Sequence, residues 1–169
     1  MSSPKLRTQA IRVLVAIAAL SFAGACGSDG DVTDPGGNLG SSFNATVTGG
    51  SAGSYSGFSS VVQAAGLFSI GLSTTDGKFA LAFTRSGTRP AAGTYQLGSN
   101  PLVGFTGTLT VGGGASGTSS IVYSSSSGTL TITESSSSGI KGTFSFTGAA
   151  SSGTGAPANI SGSFAAVCC

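Results

Sequence analysis

The chain has 169 residues, only 7% of them charged, against about 25% in an ordinary soluble domain; it holds 29 glycines and neither histidine nor tryptophan. That length leaves room for one domain and a short appendage. The formal charge of +2 misleads, because from Cys26 onward the bases Lys78, Arg85, Arg89 and Lys141 face the acids Asp29, Asp31, Asp34, Asp76 and Glu134, a net −1 with no basic patch, which argues against a nucleic-acid partner.

Residues 1–25 read as a secretory signal peptide. Lys5, Arg7 and Arg12 form a positive n-region, and Val13 to Ala19 form an apolar h-region that continues into Leu20, Phe22 and Ala23. The apolar stretch is shorter than the roughly 20 residues that span a bilayer. Small residues then lead into a cysteine, as a cleavage site requires. The junction Ala23-Gly24-Ala25-Cys26 resembles the lipobox of bacterial lipoproteins. It departs from that pattern at Ala23, where the lipobox most often has Leu. The resemblance implies that Cys26 is diacylated on sulfur, becomes the first residue of the mature chain and holds the protein to a membrane. Gly27 after the cysteine resembles the form sorted to the outer membrane. The alternative is cleavage by an ordinary signal peptidase near Ala25, which leaves Cys26 as a free or paired thiol.

Residues 26–42 comprise the lipidated Cys26 and a Gly/Asp-rich tether. Gly27 to Ser41 reads GSDGDVTDPGGNLGS, without hydrophobic periodicity. A flexible Gly-rich leash of about 15 residues has a mean reach of roughly 20 Å. Asp29, Asp31 and Asp34 have the spacing of hard-cation ligands. An EF-hand loop, however, needs Gly at its sixth position and Glu at its twelfth, where this chain has Asp34 and Gly40. A solvated linker is the reading kept.

Residues 43–169 form the domain. Gly is costly in a helix interior, and Ser and Thr compete there for backbone hydrogen bonds. The pattern from Phe43 onward has period two. Phe68, Ile70 and Leu72 share one face, as do Phe79, Leu81 and Phe83; Phe105, Leu109 and Val111; Leu130 and Ile132; and Ile140, Gly142, Phe144 and Phe146. The alternate positions are mostly Ser and Thr. Such alternation marks strands with one face in a core and one in water. Strands are expected near 43–48, 55–63, 66–74, 78–85, 93–97, 103–111, 118–124, 128–134, 139–148 and 158–167. Asp76-Gly77 is a hairpin signal, and Pro90, Pro101 and Pro157 fall between strands, where Pro is tolerated. The connections are too short for crossover helices, so neighbours should pair antiparallel. The fold class is all-β: a single antiparallel β-sandwich or flattened barrel of about 8–10 short strands. Phe79, Phe83, Phe105, Phe144 and Phe146 are expected in its core.

A glycine motif recurs at Gly93-Thr94-Tyr95, Gly107-Thr108-Leu109, Gly128-Thr129-Leu130, Gly142-Thr143-Phe144 and Gly162-Ser163-Phe164. The spacing is irregular, so no solenoid is read from it. Two explanations stand: Gly opens strands that Thr fills, or hairpins have been duplicated. The segments GTYQLG, SGTLTITESSSSGIKGTFSFTG and ISGSF resemble a group of uncharacterised bacterial lipoproteins. Those pair a GTY strand with a G-x-L-x-I-T…K-G-T-F-x-F hairpin and a closing G-x-F strand. The resemblance covers roughly residues 93–164. It implies an envelope β domain and carries no catalytic residues across.

Without histidine the chain lacks a Ser-His-Asp triad, a Cys-His pair and imidazole metal ligands. The domain's two carboxylates, Asp76 and Glu134, read as surface positions rather than the facing pair a glycosidase needs. Ser138-Gly139-Ile140-Lys141 has the formal spacing of a Ser-Lys dyad but sits in a Ser-rich hairpin. Glu134 and Lys141 flank that hairpin and read as a surface ion pair. Cys168 and Cys169 have three fates open to them: a strained vicinal disulfide, pairing between molecules, or the reduced state. No catalytic residue, cofactor or metal site is expected.

Two functions of different class follow. The first is a non-catalytic envelope lipoprotein with a structural or interaction role, anchored to the outer membrane through Cys26, its partner an envelope protein or glycan. The second is a module that binds a small ligand or glycan. An enclosed pocket lined by Tyr55, Tyr95 or Tyr123 belongs to the second, and a filled core to the first. The Thr106, Thr108, Thr110 face also invites an ice-binding reading, against which the irregular spacing argues. A membrane-crossing barrel is excluded by outward faces of Ser and Thr, since such barrels turn an apolar face to lipid.

Overall fold

The computed structural model describes residues 41–112, 120–152 and 155–167. Cys26, the tether up to residue 40, Cys168 and Cys169 lie outside the described residues. Everything described is strand, turn or connecting loop. The strands are β1 (Ser42–Gly49), β2 (Gly53–Ala64), β3 (Leu67–Ser73), β4 (Phe79–Ser86), β5 (Gly93–Gln96), β6 (Thr106–Gly112), β7 (Ser120–Ser135), β8 (Gly139–Ser152) and β9 (Ala158–Val167).

Of the two architectures open to the sequence, the chain adopts the barrel. The sheet runs β7-β6-β4-β3-β2-β1-β9-β8, and β8 pairs back onto β7, so eight strands close on themselves. All these pairings are antiparallel. The closing seam is long: β1 pairs with β9 from Ser42↔Ala165 to Gly49↔Ala158. The ninth strand, β5, lies along the upper half of β7, from Gly93↔Ile132 to Gln96↔Thr129, on the edge where β6 covers only Ser120 to Ser124. It extends the wall where β6 stops.

The expected strands at 118–124 and 128–134 prove to be one. Ser125-Ser126-Ser127-Gly128 has the composition of a turn, yet β7 runs through it against β8, with register shifts at Ser125/Ser127 and Ile132/Glu134. A bulge absorbs the extra residue and bends the strand without ending it. Ten expected strands thereby become nine.

Inward-facing residues form one continuous cluster. Phe68, Phe79, Phe83, Phe105, Ile70, Leu109 and Leu130 are fully buried, and Phe144 and Phe146 nearly so. The five phenylalanines expected in the core are there. Phe83 packs at 5.1 Å on Phe144 and edge-on at 6.0 Å to Phe146, while Phe79 stacks between Phe43 at 5.3 Å and Tyr55 at 4.7 Å. Burying such a side chain stabilises the fold by about 1.5–3 kcal/mol.

The barrel admits so many rings because glycines stand opposite them. Phe43 pairs with Gly57, Phe83 with Gly107, Phe146 with Gly128, Phe164 with Gly142 and Phe144 with Gly162. A Cβ at Gly142 would meet the Thr131 carbonyl and stand 2.9 Å from the Phe164 ring, and one at Gly57 would meet the Ser73 carbonyl and stand 3.0 Å from the Phe43 ring. Of the recurrent glycines, Gly93 opens β5 and Gly107 is second in β6, as the first explanation expects, whereas the other three do not open strands. Gly128, Gly142 and Gly162 lie well inside theirs and vacate the space that rings from the next strand fill, a known way to stabilise glycine in sheets.

Candidate functional site

Inside the barrel the tyrosines are part of the packing. Tyr123 is fully buried, with its hydroxyl 2.8 Å from Ser51 Oγ. Tyr55 stacks on Phe79. Tyr95 meets Phe105 edge-on at 5.5 Å, donates to the Ala91 carbonyl and lies under the Arg85 guanidinium. Among the described residues, two polar side chains are buried. Ser125 donates to the Gly98 carbonyl and accepts from the Gly107 N–H, both at 2.9 Å. Ser59, on β2, donates to the Ala165 carbonyl of β9, with the Ser42 carbonyl of β1 3.4 Å away. Each satisfies backbone groups where the ladder is interrupted. The interior is thus filled rather than open.

The residues weighed for chemistry lie apart. Asp76 is in the turn between β3 and β4, and Glu134 is near the end of β7, at opposite ends of the barrel. Asp76 accepts from Thr74 Oγ1 at 2.7 Å and from the Lys78 N–H at 3.1 Å, with Lys78 Nζ at 3.2 Å. These partners, Thr74 foremost, hold its carboxyl at about 2, below the ordinary 3.8. Glu134 and Lys141 pair at 3.0 Å, both half-exposed, an interaction worth under about 1 kcal/mol. Ser138 Oγ meets Ser136 Oγ at 2.9 Å, and Lys141 Nζ is paired with Glu134. Among the described residues no three His, Cys, Asp or Glu side chains gather.

The outer wall carries the more organised pattern. Strand pairing aligns Ser56, Asn44, Ser163, Thr143, Thr131 and Thr94 in one row across β2, β1, β9, β8, β7 and β5. The next row is Ser54, Thr46, Ser161, Ser145, Thr129 and Gln96. A third, shorter row holds Thr48, Asn159, Thr147 and Ser127. Every position carries a hydroxyl or a carboxamide, and none carries a charge. Few of these groups are tied to one another: Thr94 meets Thr131 at 3.2 Å, and Thr147 donates to Asn159 at 3.0 Å. Where β2, β1 and β9 meet, Asn44, Thr46, Ser54, Ser56, Ser161 and Ser163 rim a shallow depression of about 370 Å³. Adjacent strands lie about 4.8 Å apart, and same-face neighbours along a strand about twice 3.3 Å. The wall is therefore a dense field of neutral donors and acceptors.

The sequence showed the hydroxyls strand by strand but not their alignment, because the registers join residues more than a hundred positions apart, such as Asn44 and Ser163. No protein-family model matches the chain, and neither the curated proteins nor the solved structures give a match.

Proposed function

We propose that this protein is a non-catalytic lipoprotein of the bacterial cell envelope, held to the outer membrane by lipid on Cys26, that serves a structural or interaction role through the outside of its barrel. The observation that carries the reading is the contrast between the two sides of the wall. The inside is occupied by side chains packed against one another. The outside presents uncharged hydroxyls and amides in aligned rows. A barrel that carried a ligand internally would keep room for it. This one spends its interior on stability and leaves its exterior for contact.

The anchor is tested by replacing Cys26 with Ser and fractionating cells. The variant should leave the membrane fraction, and unchanged fractionation would overturn the anchor. The role of the wall is tested by photo-crosslinkers at Asn44 and Ser161 in intact envelopes, with Ala80 on the far wall as the comparison. One recurrent product from the first two positions, absent from the third, supports the reading. Equal labelling from all three positions counts against it. Turnover of an ester, peptide or glycan that Glu134→Gln abolishes would overturn the non-catalytic reading.

The depression at β2, β1 and β9 favours a second reading, a module that holds an uncharged glycan. Its rim offers only neutral donors and acceptors, the groups that sugar hydroxyls pair with. The purified protein should then co-sediment with an insoluble envelope polysaccharide, and Asn44→Ala with Ser161→Ala should abolish that.

A further inference from the structure

Four of the six exposed large apolar side chains among the described residues gather in one place, Phe58 on β2 and Val167 on β9 being the others. Leu67 follows the β2–β3 turn, Val62 precedes it on the outer face of β2, and Leu102 and Val103 project from the loop between β5 and β6. Leu102 and Val103 are 78% and 86% exposed. Backbone hydrogen bonds stitch these segments together: Gly87 N–H to Gly66 O at 2.8 Å, and Ser86 N–H to Pro101 O at 3.1 Å. Leu67 pairs directly with Ser86. The result is one apolar rim at one end of the barrel.

Two further observations say what that rim faces. The first is the path of the chain. β1 starts at Ser42 on this same end, and Ser41 accepts a hydrogen bond from the Val167 N–H there. The segment that connects the domain to Cys26 therefore joins the barrel at the apolar end. Its roughly 15 residues reach only about 20 Å on average. The second is charge. Arg85 lies behind the rim with its guanidinium over the Tyr95 and Phe105 rings at 5.4 and 5.5 Å, and Arg89 follows on the same connection. Each end also carries one neutral pair, Glu134–Lys141 at the rim's end and Asp76–Lys78 at the other, so the two arginines leave the rim's end net positive. Apolar side chains backed by arginines match the chemistry of an anionic bilayer surface.

We infer that the rim formed by Leu67, Leu102 and Val103 rests in the headgroup region of the membrane, so that the barrel stands end-on with its hydroxyl-bearing wall facing away from the lipid. The inference rests on the lipid-anchor reading for its orientation. The rim supplies what a leash alone does not, a fixed attitude of the wall to the surface. Two membrane-binding signals hold more firmly than one, and an apolar rim adds to the hold of the acylated Cys26.

The absence of tryptophan from the chain makes a clean reporter possible. The lipidated protein carrying Leu102→Trp is reconstituted on vesicles of phosphatidylethanolamine and phosphatidylglycerol containing a brominated lipid. Its emission should shift to the blue and be quenched; Val103→Trp should behave alike, and Thr75→Trp, in the opposite turn, should show neither effect. The unlipidated Cys26→Ser chain should bind the same vesicles weakly, and Leu102→Ser with Val103→Ser should weaken that by about tenfold for each side chain withdrawn from water. Vesicle-bound lipidated protein with no quenching at Leu102 or Val103 would overturn the rim and leave the anchor intact. Wild-type fractionation of Cys26→Ser in cells would overturn the anchor, and the vesicle binding of that unlipidated chain then decides the rim by itself. Concentration-dependent dimerisation that Leu102→Ser abolishes would assign the rim to a second copy of the chain and overturn the inference.

Discussion

Phe144 and Gly162 face each other across β8 and β9, and the ring of the one occupies the place a side chain on the other would take. A Cβ built on Gly162 would run first into the Asn44 backbone carbonyl of β1, and would stand 2.7 Å from Phe144 Cζ and 2.9 Å from the Ala45 backbone. One step along the same ladder the arrangement is reversed, with Gly142 opposite Phe164. Gly162→Ala should therefore destabilise the barrel by about 1–3 kcal/mol through overpacking, read as a lowered denaturant midpoint. Gly98→Ala, where an added Cβ meets open space, should change it little. Equal effects at the two positions would show that the Phe–Gly complementarity has no energetic weight.

Ser125 is a buried hydroxyl that holds two backbone segments together. It is the junction between β7, the start of β6 and the loop after β5, through Gly107 N–H and Gly98 O. Ser125→Ala leaves a buried donor and acceptor without that partner. The expected cost is about 1–3 kcal/mol, with faster amide exchange at Gly107. Ser126→Ala, whose hydroxyl is exposed and bonded to Thr147 O, should cost less.

The β2–β3 turn contains Ala65 with φ 50 and Gly66 with φ 76. Both values lie in the left-handed region that a type I′ hairpin requires, and Asn-Gly is its preferred pair. The left-handed conformation costs alanine roughly 1 kcal/mol. Ala65→Asn should raise the thermal midpoint by relieving part of that. An unchanged or lowered midpoint would mean that the turn is held by its flanking strands alone.

The Asp76 carboxyl titrates near 2 rather than 3.8 because Thr74, the Lys78 backbone and the Lys78 ammonium favour its charged form. A group whose folded pKa is depressed contributes stability above its unfolded pKa and loses it as pH falls through the folded one. The stability difference between the protein and Asp76→Asn should be constant above about pH 5 and shrink as pH falls from 3.8 toward 2. A difference that persists undiminished at the acid end would place the effect of Asp76 in turn geometry rather than charge.

Much of the barrel was legible as alternation. Phe79-Ala80-Leu81-Ala82-Phe83 and Ile140 to Phe146 declare which face is buried, because each strand has one dry side. Alternation says nothing about whether the sheet closes, so sandwich and barrel stayed equal until β1 met β9. It also misleads where polarity is inverted. In β2 the inward positions are Tyr55, Gly57, Ser59 and Val61, and Phe58 points outward. Ser59 is inside because the Ala165 carbonyl at the seam needs a donor, a demand set by a strand a hundred residues away. Ser125 hid within a serine run for the same reason. The apolar rim is not legible in the sequence because Leu102 and Val103 adjoin in a loop and follow neither period. The aligned rows of the wall depend on register, which the composition of single strands does not encode.

The seam between β1 and β9 also has a meaning in time. Ser41 and Val167, 126 positions apart, meet at the end of it, and contacts this distant are slow to form because closing so long a loop costs entropy before the contact repays it. On the secreted reading the chain emerges from its N-terminus. For most of that passage β1 has β2 on one edge and nothing on the other, and an open strand edge invites pairing with other chains. The ten residues of β9, Ala158–Val167, work as a latch. Losing them would not shorten a nine-strand protein to eight. It would turn a ring without ends into a sheet with two free edges, β1 and β8, in the same molecule, each able to pair with its counterpart on a neighbour.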